Sequence, residues 1–384
     1  MKKGKKAVVA GHICIDITPI FPIKDIRQVN EVLVPGKLIQ MDGVNVSTGG
    51  AVANTGLALK LMGIDVSLMG KIGEDAFGGF VLNCLEKYGA EDGVIISGDS
   101  DTSYSVVLAV PGTDRIFLHN PGANQTYSFE DLDFSIIEEA TLFHFGYPPL
   151  MKKMYQDQGA QLKRILNKVK EMGVAVSLDM AAVDPDSEAG QVKWEKILEE
   201  ILPDVDFFVP SVEELCYMID KKCYEDWRRK ANGCDITEII SISDIEPLGQ
   251  KAIDLGAKVV LVKCGAAGIY YRTAAADKLG ELCGELNLSL ESWASKEGFE
   301  LSYVPEAVIS GAGAGDTCIA AFLASVLKEN GLEKSLKLAS AQGACCVAAY
   351  DALSGLRTLK ELEEKIQKGW KKQMTTASIN IIEA

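Results

Sequence analysis

Ser310-Gly311-Ala312-Gly313-Ala314-Gly315-Asp316-Thr317 is the stretch on which the fold turns. Three alternating glycines run into an acid and then into residues 318–327, small and apolar almost all the way round. The pattern predicts a glycine loop feeding the start of a buried helix, with Asn330-Gly331 as its stop. A helix start presents unpaired N–H groups and partial positive charge, so it suits an anion. Glycine lets the backbone come close to that anion. Asp316 is the odd member, because a carboxylate beside an anion is repelled unless it has a role there. Accepting the proton of a hydroxyl that attacks phosphorus is a role consistent with the position. A tight turn capped by Asp would explain the same residues without chemistry, so the rest of the chain must decide.

Residues 7–15 form an apolar run broken only by Gly11 and His12 and closed by Asp16. They read as one buried parallel strand with an acid near its carboxyl end, where open α/β sheets put ligands. Gly49-Gly50-Ala51-Val52-Ala53-Asn54-Thr55 opens a helix that Gly63 stops. Two glycines at a helix start make room for a ligand or for close packing, and Asn54 offers both donor and acceptor. Residues 19–47 carry turns and short strands, with alternation at 31–34. Residues 103–110 and 115–119, joined by Pro111-Gly112-Thr113-Asp114, predict a hairpin. Together, about 17–48 and 101–122 predict a small β-rich flap.

Beyond the flap, strands at 140–145, 174–178 (closed by Asp179), 207–209, 258–262 and 269–272 alternate with helices. That order argues an α/β fold with a mostly parallel sheet covered on both faces. Pro210-Ser211 caps a helix over 212–219, with Glu213 and Glu214 in its first turn. Further helices are expected over 248–255, 336–350 and 359–370. Two polar stretches, about 221–246 and 273–300, read as insertions within a single domain spanning 1–384.

A chain of 384 residues exceeds the roughly 250–300 at which one core stops growing, so a large body with a smaller appendage is expected. The net charge of −15 disfavours nucleic acid and anionic membrane as partners. Any phosphate must therefore be held by local amides, a few lysines and a divalent cation. Ten cysteines without C-x-x-C spacing, several in apolar runs, point to free thiols in a cytoplasmic protein. No Gly-Lys is followed by Ser or Thr, which removes the P-loop. The glycines come too late for a dinucleotide fingerprint, and Asp316 stands where its last Gly would. His12, His119 and His144 are scattered and read as structural.

Taken together, these residues resemble the ribokinase-like (PfkB-type) carbohydrate kinases over nearly the whole chain apart from the two insertions. The segment 11–16 resembles the family's first-strand motif, whose closing Asp holds substrate hydroxyls. Gly49-Gly50 with Asn54 resembles its Gly-Gly motif, and Gly70-Lys71-Ile72-Gly73-Glu74-Asp75-Ala76-Phe77-Gly78 its N-terminal signature. Gly265-Ala266-Ala267-Gly268 resembles the nucleotide-side loop, and Gly313-Ala314-Gly315-Asp316 the anion hole and base.

The resemblance implies an ATP-dependent transfer to a primary hydroxyl of a sugar or sugar-like alcohol. Asp316 would act as base and the backbone of Ala312, Gly313, Ala314 and Gly315 as anion hole. Asp16, Gly49, Gly50 and Asn54 would hold the acceptor. ATP would meet Ser211, Glu214, Lys263, Gly265, Gly268 and Ser340, with Mg²⁺ reached through the phosphates and through water from Glu214. At the helix start Asp316 is expected to stay ionised as a modest base. The flap would be a lid that excludes water, and its strands are suited to pairing two copies into a homodimer.

Three departures bear on this. Ser310-Gly311-Ala312 replaces the usual Asp-Thr-Thr, which weakens the case for a K⁺ site. Ser211 stands where the Asn-x-x-Glu motif has Asn, and Lys263 where the nucleotide side has Thr, a lysine that could meet phosphate directly. Gly146-Tyr147 occupies the place of a Glu found in ribose-using members, which argues against ribose. A nucleoside kinase of the same fold and a non-catalytic sugar-binding sensor remain as alternatives, and a nicotinamide dehydrogenase is disfavoured.

Overall fold

The computed structural model describes residues 5–22, 33–110 and 116–374. Thirteen strands are present among them: β1 (Lys6–Gly11), β2 (Cys14–Ile20), β3 (Gly43–Gly49), β4 (Asp65–Gly73), β5 (Val94–Ser97), β6 (Tyr104–Leu108) and β7 (Ile116–Asn120), then β8 (Leu142–Gly146), β9 (Ala175–Asp179), β10 (Phe207–Phe208), β11 (Val259–Cys264), β12 (Gly268–Thr273) and β13 (Glu297–Leu301). Nine build a large sheet in the order β13-β12-β11-β10-β9-β8-β1-β4-β5. It is parallel from β11 to β5, and β12 and β13 extend it antiparallel. The central strands β8 and β9 are buried at every residue, as parallel strands sandwiched between helices should be. The other four strands form a small sheet, β3-β2-β6-β7, antiparallel except where β2 meets β6.

The expected single strand over 7–15 is two strands in two sheets. Gly11 at the end of β1 has φ 122°, and a Cβ there would lie 2.4 Å from Gly146 O. Only glycine fits that approach. His12 and Ile13 cross from one sheet to the other, and Asn124 clamps the crossing: Ile13 N–H donates to Asn124 Oδ1 at 3.2 Å, and Asn124 Nδ2 donates to Ile13 O at 2.9 Å. Asp16 therefore sits on β2 of the small sheet and not at the carboxyl end of a strand of the large one. Both strands are buried around the crossing, so apolar patterning alone did not mark the break.

The hairpin of β6 and β7 forms as expected, while its turn at 111–115 and part of the 31–34 alternation lie outside the described residues. The 221–246 stretch contains the helix Lys221–Ala231, with Trp227 buried, and the start of the helix Ile242–Asp254. The 273–300 stretch contains the helix Ala276–Leu286 and most of β13. It also places Trp293, fully buried, edge-on to Phe207 and Phe322 in the core. Both stretches are polar on average, yet each hides an apolar stripe against the body.

The helix Ala314–Leu327 is buried from Asp316 to Leu327, consistent with its apolar surface all round. It packs against the helices Gly50–Leu61 and Leu332–Cys346. All ten cysteines are free, most of them buried. Among the described residues no helix is long and apolar enough to cross a membrane.

Candidate active site

The glycine loop enters its helix through Gly313, which caps it in the left-handed region at φ 71°. A Cβ on Gly313 would lie 2.2 Å from the Ala352 Cβ, so the turn excludes any other residue without a shift. Ala312 N–H donates to Ser310 Oγ, and Ala314 N–H to Gly311 O. Two of the four amides expected to form an anion hole are thus used by the turn itself. The N–H groups of Gly313 and Gly315 take no partner among the described residues and remain open at the helix start. The Lys263 side chain flanks the loop, its Nζ 3.8 Å from where a Cβ of Gly315 would stand.

Asp316 lies on the first turn, and three polar side chains converge on it. Tyr147 O–H donates to Oδ1 at 2.7 Å, Thr55 Oγ1 approaches the same oxygen at 3.4 Å, and Asn54 Nδ2 donates to Oδ2 at 2.9 Å. Burial pushes the Asp316 carboxyl above its ordinary range, and Glu214 adds to the push. Donation from Asn54 and Tyr147 and the charge of Lys263 pull it back without cancelling the rise. Only 3% exposed, Asp316 is raised above an ordinary carboxylate because burial disfavours its charge, which makes it a stronger base than the helix start alone would give.

On the flap side of Asp316, Asp16 presses against the bare backbone of Gly49, where a Cβ would meet its carboxylate at 2.4–2.6 Å. Gly50 has φ 82°, and a Cβ there would lie 2.6 Å from both His12 O and Nδ1. Both glycines are required by these close approaches, while Asn54 bonds Asp316 directly and the charge of Asp316 reaches Asp16. Burial raises the Asp16 carboxyl to about 6, with the charge of Asp316 acting the same way and donation from the Cys14 thiol opposing. The three histidines each meet a serine hydroxyl: His12 with Ser103, His119 with Ser105 and His144 with Ser177. His12 stacks at a tilt between His119 and Tyr147, with ring centroids 5.1 and 6.0 Å away.

On the opposite side, Lys263 Nζ donates to Asp179 Oδ1 at 2.6 Å. Burial works against the ammonium, but Asp179 and Glu214 outweigh it and hold Lys263 above its usual range, firmly charged. Asp179 Oδ2 is buried with no hydrogen-bond partner. Ser211 and Glu214 are turned on each other in a capping box: Ser211 N–H donates to Glu214 Oε2 at 2.7 Å, and Glu214 N–H to Ser211 Oγ at 3.2 Å.

Gly265 makes a left-handed turn at φ 52°. Gly268 is required by β13, since its Cβ would sit 2.1 Å from Glu300 O. Ser340 donates its hydroxyl to Leu301 O at 2.7 Å and is occupied in packing. Of the residues anticipated here, Lys263 and Glu214 thus face Asp316 electrostatically, while Gly268 and Ser340 have structural reasons of their own. Among the described residues no group of three His, Cys, Asp or Glu side chains is placed to hold a metal directly.

Tyr147, Thr55 and Asp179 were not anticipated as members of this cluster. Asp179 carried a signal, an acid closing an apolar strand. Tyr147 was marked only as standing where ribose-using members have a Glu, which signals nothing about contact with Asp316.

The model of the pfkB family carbohydrate kinases matches residues 5–359. The chain belongs to that family. Fructokinase-2 of Oryza sativa subsp. japonica is 24% identical over 371 residues, covering 93% of each chain. An uncharacterized sugar kinase of Archaeoglobus fulgidus is 24% identical over 300 residues, 78% of this chain and 98% of that one. Among solved structures, a fructokinase with bound ATP from Xylella fastidiosa superposes with a TM-score of 0.69 at 18% identity, over 96% of this chain and 99% of that one. A candidate ribokinase II of E. coli in complex with ATP and Mg²⁺ gives 0.66 at 21%, over 95% and 99%. This carbohydrate kinase therefore shares the ribokinase-like architecture, and its cluster around Asp316 occupies the junction of the two sheets.

Proposed function

We propose that this carbohydrate kinase transfers the γ-phosphoryl group of ATP to a primary hydroxyl of a sugar or sugar-like alcohol, with Asp316 as the base. The observation that carries the reading is the convergence of Asn54 and Tyr147 on the Asp316 carboxylate beside the open amides of a helix start. Asp16, Asn54 and the Gly49-Gly50 backbone orient the acceptor. Its oxygen bonds to the γ-phosphorus as the bond from that phosphorus to the bridging oxygen of ADP breaks, and its proton goes to Asp316. The amides of Gly313 and Gly315, with Lys263 alongside, stabilise charge on the transferred group. A loose transition state asks little of the base beyond position, so positioning and charge do most of the work.

The residues fit ATP and Mg²⁺. Lys263 is a permanently charged partner for phosphate, while Glu214 and the unpartnered Asp179 Oδ2 put carboxylate oxygens on the same side. Bound Mg²⁺ would neutralise phosphate charge, held through water by Glu214. The relatives named fructokinases make fructose the first acceptor to try.

A nucleoside kinase is the second reading, favoured by the row of His119, His12 and Tyr147 rings. Release of ADP measured against hexoses, pentoses, keto-sugar acids and nucleosides, with and without K⁺, tests both. Turnover with sugars supports the first reading and turnover with nucleosides alone the second. ATP and sugar binding without turnover would leave a sensor.

A further inference from the structure

We propose that Tyr147 is a positioning residue for the transfer step: its hydroxyl fixes Asp316 Oδ1, leaves Oδ2 as the oxygen that accepts the proton, and favours the charged carboxylate. The inference rests on Asp316 being the base.

Three observations lead to it. First, Tyr147 is held at φ 67°, ψ 43°, in the left-handed region that non-glycine residues rarely occupy. It also precedes Pro148, which restricts the residue before it. Strain of this kind persists where the surroundings over-determine it. The surroundings are visible: Tyr147 N–H donates to Asp179 O at 3.2 Å, the ring lies against His12, and the hydroxyl lands 2.7 Å from the acid.

Second, a carboxylate has about four lone-pair sites. Oδ1 receives Tyr147 and, at longer range, Thr55, whereas Oδ2 receives only Asn54. The vacant lone pair is on Oδ2, beside the side chain proposed to anchor the acceptor.

Third, the charges around Asp316 are mostly hostile. Glu214 opposes its ionisation, Asp179 on β9 and Asp16 on β2 are near enough to be raised by its charge, and Lys263 on β11 is a cation that favours its charged form. The thiols of Cys14 and Cys346 feel its charge as well. A neutral donor that bonds more strongly to the ionised carboxylate than to the neutral acid therefore matters more than it would at an exposed acid.

The test is Tyr147→Phe, which keeps the ring and removes the donor. Single-turnover transfer from ATP to D-fructose, or to whichever sugar of the panel reacts, is followed from pH 5 to 9 at saturating substrates, where weaker acceptor binding does not register. The acid limb of the rate should move to higher pH by about one unit, with the rate approaching wild type on the alkaline side. A limb that superimposes on the wild-type one, at any plateau height, overturns the proposal, because lost packing alone lowers a rate without moving its pH dependence. Should the Phe variant not fold, 3-fluorotyrosine at 147 supplies a stronger donor of nearly the same shape, and the limb should then move the other way; an unmoved limb again overturns it. Asp316→Asn separates the levels. Near wild-type transfer by that variant removes the base itself, whereas an inactive Asp316→Asn beside an unmoved Tyr147→Phe limb removes only the role of Tyr147.

Discussion

Asn54 Nδ2 and Asp316 Oδ2 meet at 2.9 Å, although 262 residues separate them in the chain. Each lies near the start of a buried helix, and the two helices pack together, so the hydrogen bond links the acceptor side of the site to the glycine loop. If Asp316 takes the proton of the acceptor, Asp316→Asn should lower turnover by about 10²–10⁴. The melting temperature should hardly fall, because the substitution removes a charge that burial already disfavours. ADP release and thermal unfolding, measured on the same preparation, check both halves.

Lys263 and Asp179 form a buried pair, which gives a different kind of prediction. Lys263→Met strands the Asp179 charge and should destabilise the protein by about 3 kcal/mol. Adding Asp179→Asn should restore most of that loss. The KM for ATP should stay raised by about tenfold in both variants, since the phosphate loses its lysine. Denaturant unfolding and ATP titration of the four proteins in the cycle separate the structural role of the pair from the nucleotide role. Recovery of ATP affinity along with stability in the double variant would count against contact between Lys263 and phosphate.

Asp16 sets a pH dependence on the acceptor alone. Its carboxyl is raised by burial to about 6, so it should lose charge as pH falls through that value and the acceptor KM should climb. The KM for ATP should not follow this change. Stability runs the opposite way. Between the unperturbed 3.8 and about 6 the folded protein holds this proton and the unfolded chain does not, so the contribution is fully present below 3.8 and lost as pH rises through 6. Asp16→Asn should accordingly raise the Tm relative to wild type at pH 7.5 and have no such effect at pH 3.8. Melts at the two pH values decide the matter.

Glu214 has a visible structural job in the capping box, and a proposed one near Mg²⁺. Glu214→Gln keeps an acceptor for Ser211 N–H and should leave the Tm within about 1 kcal/mol equivalent of wild type. The Mg²⁺ concentration for half-maximal rate should rise severalfold. Titrating Mg²⁺ at fixed ATP tests this, and an unchanged requirement would restrict Glu214 to capping its helix.

Much of this arrangement was legible because local chemistry and global packing agreed. The glycine run at 311–315 announced a helix start with bare amides, and the strand–helix alternation announced the large sheet. Asp16, Asn54 and Asp316 were named from local signals; Asn54 and Asp316 share a hydrogen bond, and Asp16 lies within reach of the charge of Asp316. The crossing at His12-Ile13 was hidden because both sheets bury that segment, so apolar patterning stayed continuous through the break. Tyr147 was hidden for another reason: its importance lies in a left-handed backbone that puts a hydroxyl on a residue 169 positions away. Ser340 shows the converse, a polar residue near the right place whose hydroxyl is consumed by Leu301 O.

The crossing from β1 to β2 has an outcome for how such an enzyme loads. Asp16 lies on the small sheet and Asn54 on a helix of the body, and the two-residue crossing from β1 to β2 is held by Asn124 through both backbone groups of Ile13. A sugar touching both residues would be the latch that draws one part onto the other. Half-sized alcohols, too short to bridge them, should leave the latch undone.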